Sequence, residues 1–240
     1  MDIVEVRQAA VNKVLEKKDY AAAKKLIADG ITIAERKGHP GTVNAWKEVL
    51  LQIAIKEKDT EAIRNYAKFF ALDSRFSAEY YKMWKKTYPS AEWKVVIDKH
   101  IEETLQKIEK QKSGRGWNSS YLSVLYNLTP IYIQEQYWGK LLAFVEQEKS
   151  LEITLQFHDY LAKQYPEDLL DIYLPALEAY GTRATDRKQY AELVTKMKKI
   201  MKDIPAGKER ILALAQKLKE QFSVKPRRPA MIEELNKILK

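Results

Sequence analysis

The chain has no cysteine, and that absence removes whole classes of protein at once. Disulfide scaffolds, thiolate zinc sites and cysteine nucleophiles are all excluded. Histidine is nearly as scarce, with three in 240 residues. His39, His100 and His158 stand on separate segments, and none lies three or four residues from another or in a Glu-x-x-His pattern. The spacings of zinc hydrolases and di-iron bundles are therefore missing, no metal or cofactor is expected, and each histidine reads as a turn, surface or core-edge residue. No apolar run approaches the ~18 residues a membrane span requires. The N-terminal "MDIVEVRQAAVNKVLEKK" lacks the basic start and apolar core of a signal peptide. A cytoplasmic protein is the resulting expectation.

Breakers are few as well: eight glycines and eight prolines, with Ala-, Leu-, Lys- and Glu-rich stretches between them. What remains is apolar spacing at three- and four-residue steps nearly everywhere and no pattern of a strand. Val4, Val11, Val14 and Leu15 trace one face; Tyr20, Ala23, Ile27, Gly30 and Ala34 trace the next. Gly38, His39-Pro40, Asp59, Ser77, Pro89-Ser90, Thr129-Pro130 and Tyr165-Pro166 punctuate the chain as helix ends and starts. Pro175 is expected to interrupt and kink the helix in which it sits. A polar residue, an aromatic and then aliphatics recur at Asp19-Tyr20, Glu92-Trp93, Tyr137-Trp138 and Gln189-Tyr190, with Asp59-Thr60 a weaker copy. That rhyme predicts stacked helical hairpins. The fold expected is all-α, an irregular α-α superhelix of about twelve tetratricopeptide-like helices. Hairpins over 1–112 and 121–240 flank a loop at 113–120, and a capping helix spans 229–240.

The net charge of +9 comes from 32 Lys and 10 Arg against 33 acids. Lysine-dominated blocks at helical spacing read as solvated faces, since arginine is the better bidentate reader of phosphate. "SGRGW" lacks the Walker pattern, the adjacent acids Glu102-Glu103 and Glu233-Glu234 diverge on their helices, and no nucleophile sits in an elbow. Catalysis is not expected. The aromatic, lysine-flanked segment with Tyr80, Tyr81, Trp84, Lys85 and Trp93 is the candidate contact surface, able to stack bases or grip a peptide. Its rings also suit helix packing. Arg227 and Arg228 add a basic pair that could reach an acidic partner. Pro229, Glu233, Glu234, Lys237 and the stripe Met231 or Ile232, Leu235, Ile238 and Leu239 describe a lid.

"RRPAMIEEL" at 227–235 resembles the closing motif of the C-terminal helical region of bacterial SWIM zinc-finger proteins. "DYAAAKKLIADGITIAERKGHPG", "EYYKMWKKTYPSAEW", "YWGKLLAFVEQEKSLEITLQFHDYLAKQYPE" and "DRKQYAELVTKMKKI" follow the same order, so the likeness covers roughly residues 19–240. It implies a helical-repeat region of a larger protein. The Cys-x-Cys and Cys-x-His ligands of the SWIM module have no counterpart here. Two functions stand open: a non-enzymatic scaffold for a protein or peptide, and a nucleic-acid-binding accessory module on a basic, aromatic surface.

Overall fold

The computed structural model describes residues 4–73, 75–112, 117–224 and 226–239, with backbone alone at 111–112 and 117–121. The fold is all-α: fifteen α-helices and one 3-10 turn, with no strand among the described residues. The chain divides into two compact units, Met1–Pro130 and Ile131–Lys240.

The first unit runs through α1 (Val4–Glu16), α2 (Tyr20–Arg36), α3 (Pro40–Glu57), α4 (Thr60–Leu72), α5 (Ala78–Lys86), α6 (Ser90–Lys112) and α7 (Trp117–Asn127). Its first two connections and the one before α4 are built alike. Lys18, Gly38 and Lys58, each twenty residues from the last, take positive φ of 57°, 67° and 57°. The following residue then donates its amide five positions back: Asp19 to the Val14 carbonyl, His39 to Ala34, Asp59 to Ala54. This is the Schellman ending, which satisfies carbonyls that a helix C-terminus leaves open. In the same step Asp19 and Asp59 become N-caps, their carboxylates accepting from the amides of Ala22 and Ala62 at 3.0 Å. One residue ends a helix, the next begins another, and the chain reverses with no slack. Packing follows chain order: α1 on α2, α2 on α3, α3 on α4 and α4 on α5. Val11, Ala23, Ile27, Trp46 and Ile53 form the core between α1, α2 and α3.

The sequence rhyme lands in first turns. Tyr20, Thr60 and Trp138 open their helices, and Trp93 and Tyr190 are the fourth residues of theirs. Some expectations need correction. Among the described residues the α-helices number fifteen, against about twelve expected, because short pieces separate where the sequence reads one run. Of the expected loop at 113–120, residues 113–116 lie outside the described residues, and 117–120 open α7. The weak helix propensity of Asn-Ser-Ser is overridden there by packing of α7 on α6.

The second unit comprises α8 (Thr129–Glu135, whose first turn holds the division), α9 (Trp138–Glu148), α10 (Leu151–Gln156), α11 (His158–Leu161), α12 (Pro166–Arg183), α13 (Arg187–Asp203), α14 (Lys208–Ser223) and α15 (Pro229–Leu235). Here packing is not simply sequential: α12 touches α10, α13 and α14, and α15 lies on α13 and α14. Leu169, Leu170, Tyr173 and Leu177 of α12 are fully buried. α12 continues on both sides of Pro175, which lies inside the helix. Pro175 is exposed, so the carbonyl it deprives of a partner is on the side where water can take it. Gly181 marks a close crossing; a Cβ there would lie 3.0 Å from methyls of both Leu193 and Leu218 and 3.3 Å from the Met231 methyl. The final helix ends at Leu235, short of 240, and Ile238 and Leu239 continue as turns bonded to the Leu235 carbonyl. No described helix is long and apolar enough to cross a membrane.

Candidate functional site

The aromatic segment singled out in the sequence is mostly core. Tyr81, Trp84 and Trp93 are 1%, 0% and 3% exposed and meet edge to face, with ring centroids 4.8 Å apart for Trp84 and Trp93. Rings that close against one another cannot stack bases, so these three are corrected from contact residues to packing residues. The buried indole N–H groups of Trp84 and Trp93 have no hydrogen-bond partner among the described residues. Tyr80 is half-buried, its hydroxyl donating to Glu48 at 2.6 Å, and Lys85 lies over the Trp93 face at 5.9 Å. Helical spacing reported the rings correctly; it could not say which side of α5 met α6.

The terminal basic pair separates. Arg227 is exposed. Arg228 is turned inward as a clamp: its guanidinium donates to the carbonyls of Ala184, Thr182 and Gly181 at 2.7, 3.1 and 3.3 Å. It also covers the Phe222 ring at 4.1 Å. A cation on the last carbonyls of α12 is what that helix end favours. Arg228 is thereby corrected from partner contact to internal fastening.

Two constellations emerge that the sequence did not announce. In the second unit His158 is fully buried. Its Nε2 lies 3.1 Å from Asp203 and its Nδ1 2.9 Å from the Tyr173 hydroxyl. A carboxylate cannot donate, so the neutral ring carries its proton on Nε2 towards Asp203 and accepts from Tyr173 on Nδ1. Tyr173 is also within 3.2 Å of the Thr154 carbonyl. Burial, then the nearby Lys199, lowers the His158 pKa, and Asp203 works the other way. His158, Asp159 and Asp203 place ligand-type atoms within 4.8 Å of one another. Yet the Lys199 ammonium bonds both carboxylates, at 2.9 and 3.0 Å, and so already occupies the cation's place. In the sequence His158 follows Leu151 and Leu155 at helical steps, a spacing that signals burial; Asp203, 45 residues on, gave no signal.

In the first unit a cavity of ≈ 580 Å³ opens between the α4–α5 connection, α6 and α7. Phe76, Tyr126 and Pro130 line it with Arg75, His100, Thr104 and Asn127. Thr104 donates to the His100 carbonyl at 2.8 Å. The His100 ring meets Trp84 edge to face at 5.9 Å. Its pKa is lowered by burial first and then by Lys68, with Glu103 opposing and Lys107 reinforcing. The ring is therefore neutral near pH 7, with one donor and one acceptor. Nothing in the linear sequence joins Arg75 to Asn127; an Arg-Phe pair inside a short connection was the sole hint.

Comparison with family models, curated proteins and solved structures gives no match to the chain.

Proposed function

We propose that the chain is a non-catalytic helical-repeat module that holds a protein partner, the helical region of a larger protein of the SWIM zinc-finger kind. The observation that carries this reading is the packing order of the first unit, in which α1 to α5 each rest on the next. A stack of that type buries every helix between chain neighbours and leaves an extended row of outward residues, the surface that repeat proteins use for binding. Lys25 and Asp29 on α2 and Glu61 on α4 belong to that exposed row. His158 and Tyr173 are buried, and the exposed Asp203 that His158 faces is already engaged by Lys199, which fits a structural role. With the zinc ligands absent, this region's contribution is surface contact.

A photo-reactive residue placed in turn at Lys25, Glu61 and Lys202 of the intact chain tests the reading in cells. The expected result is one protein adduct shared by the first two positions and missing from Lys202, which is exposed on α13. Adducts with nucleic acid alone, or none at any position, would contradict it.

A further inference from the structure

The cavity of the first unit has a composition that packing does not require. At ≈ 580 Å³ it falls within the roughly 300–1,000 Å³ typical of small-molecule sites. Its walls are divided in character. Phe76 and Tyr126 offer ring surface, whereas the Arg75 guanidinium, the His100 ring nitrogens and the Asn127 amide carry no hydrogen bond or ion pair to any described residue. Polar groups around a recess generally find partners in the protein, in water or in a ligand. Three that line one hollow, all without a partner among the described residues, form a set of donors ready for a guest.

The sign of the local charge selects the guest. Arg75 lines the cavity, and Lys68 and Lys107 act on His100 from nearby, against Glu103 as the opposing carboxylate. An anion is favoured there, and a fork of guanidinium N–H groups matches a planar carboxylate better than a lone ammonium does. We propose that this cavity binds a small monocarboxylic acid with an apolar aryl or alkyl body. Its carboxylate lies on Arg75, with an N–H of Asn127 or His100 donating to the second oxygen, and its body rests against Phe76 and Tyr126. The inference concerns a site separate from the outward row of α2 and α4, so it stands or falls apart from the partner reading.

Phenylacetate is a suitable probe and phenylacetamide its neutral counterpart, followed by amide and imidazole resonances of the intact chain. Phenylacetate is expected to give saturable shifts at Phe76, Thr104 and Asn127 and to raise the His100 pKa, because a bound anion favours the imidazolium. Phenylacetamide should bind about tenfold more weakly or worse, and Arg75→Gln should weaken phenylacetate by about tenfold or more, the loss of one charge-assisted contact. Arg75 is exposed and makes no hydrogen bond or ion pair to a described residue, so the variant is expected to fold, with unchanged unfolding midpoint as the check. Equal binding of acid and amide, full binding by the folded Arg75→Gln variant, or no saturable shift at roughly 10 mM probe would overturn the proposal.

Discussion

Arg228 donates to the Ala184 carbonyl at 2.7 Å, tying the segment before the last helix to the end of α12, 44 residues earlier. The contact gives the two members of the basic pair different roles: Arg228 is consumed in closing the fold, whereas Arg227 is exposed. Arg228→Gln leaves three carbonyls short of a charged donor and uncovers Phe222. A loss of about 1–3 kcal/mol is expected in urea unfolding, and Arg228→Lys should recover only part of it, since an ammonium could meet carbonyls that all bond the one Nη1 but lacks the planar face that covers Phe222. Unchanged midpoints in both variants would refute the clamp.

Closure is completed by apolar burial. Met231 and Leu235 are fully buried against α13 and α14, and the exposed Arg187 and Glu233 pair across the joint. Leu235→Ala should cost ~2–5 kcal/mol. Gly181→Ala should also destabilise, because its Cβ would press on Leu193, Leu218 and Met231. Thermal unfolding of the two variants checks both; a Gly181→Ala chain as stable as the parent would show that the crossing is looser than described.

The twin turns make a prediction of the opposite sign. Lys58 holds φ of 57°, a conformation that costs a side-chain-bearing residue about 1 kcal/mol relative to glycine. Lys58→Gly should therefore raise stability by a few tenths to about 1 kcal/mol after the entropy of the unfolded chain is counted. Gly38→Ala, with open space around its Cβ, should lose about 1 kcal/mol for conformation alone. Equilibrium denaturation resolves both, and a destabilising Lys58→Gly would contradict the turn.

Acid acts on the second unit through His158. Its pKa is lowered in the folded chain, mainly by burial, from the ordinary 6.5. Between that lowered value and about 6.5 the unfolded chain binds the extra proton, so stability is whole above this window and falls as pH drops through it. Comparing unfolding near pH 7.5 and pH 5.5, His158→Gln should lose less on acidification than the parent, although it is weaker at both. Identical pH slopes would remove His158 from the account. The Tyr173 hydroxyl, raised well above its usual range by burial, stays protonated throughout.

Local features were the legible ones. Asp19, Gly38 and Asp59 announce the turns because capping is decided by neighbours in the chain, and Tyr81, Trp84 and Trp93 announce a helical seam because spacing reports one face. Which face meets which partner depends on residues far apart, and there the reading fell short. Arg228 looked free until Ala184 came beside it, and His158 looked merely apolar-facing until Tyr173 and Asp203 bracketed it. Pro175 broke a local rule, but on the outer side of α12, where the fold tolerates it. The cavity was invisible for the same reason, since Arg75, His100 and Asn127 share nothing in sequence and meet through the packing of separate helices.

Hydrogen–deuterium exchange of the intact chain, alone and with the protein captured through Lys25 or Glu61, tests the central claim most directly. The account predicts slowed exchange in the exposed turns and outward faces of α2, α3 and α4, with α13 to α15 unchanged. Slowing confined to α13–α15, or no slowing anywhere in the first unit, would contradict it.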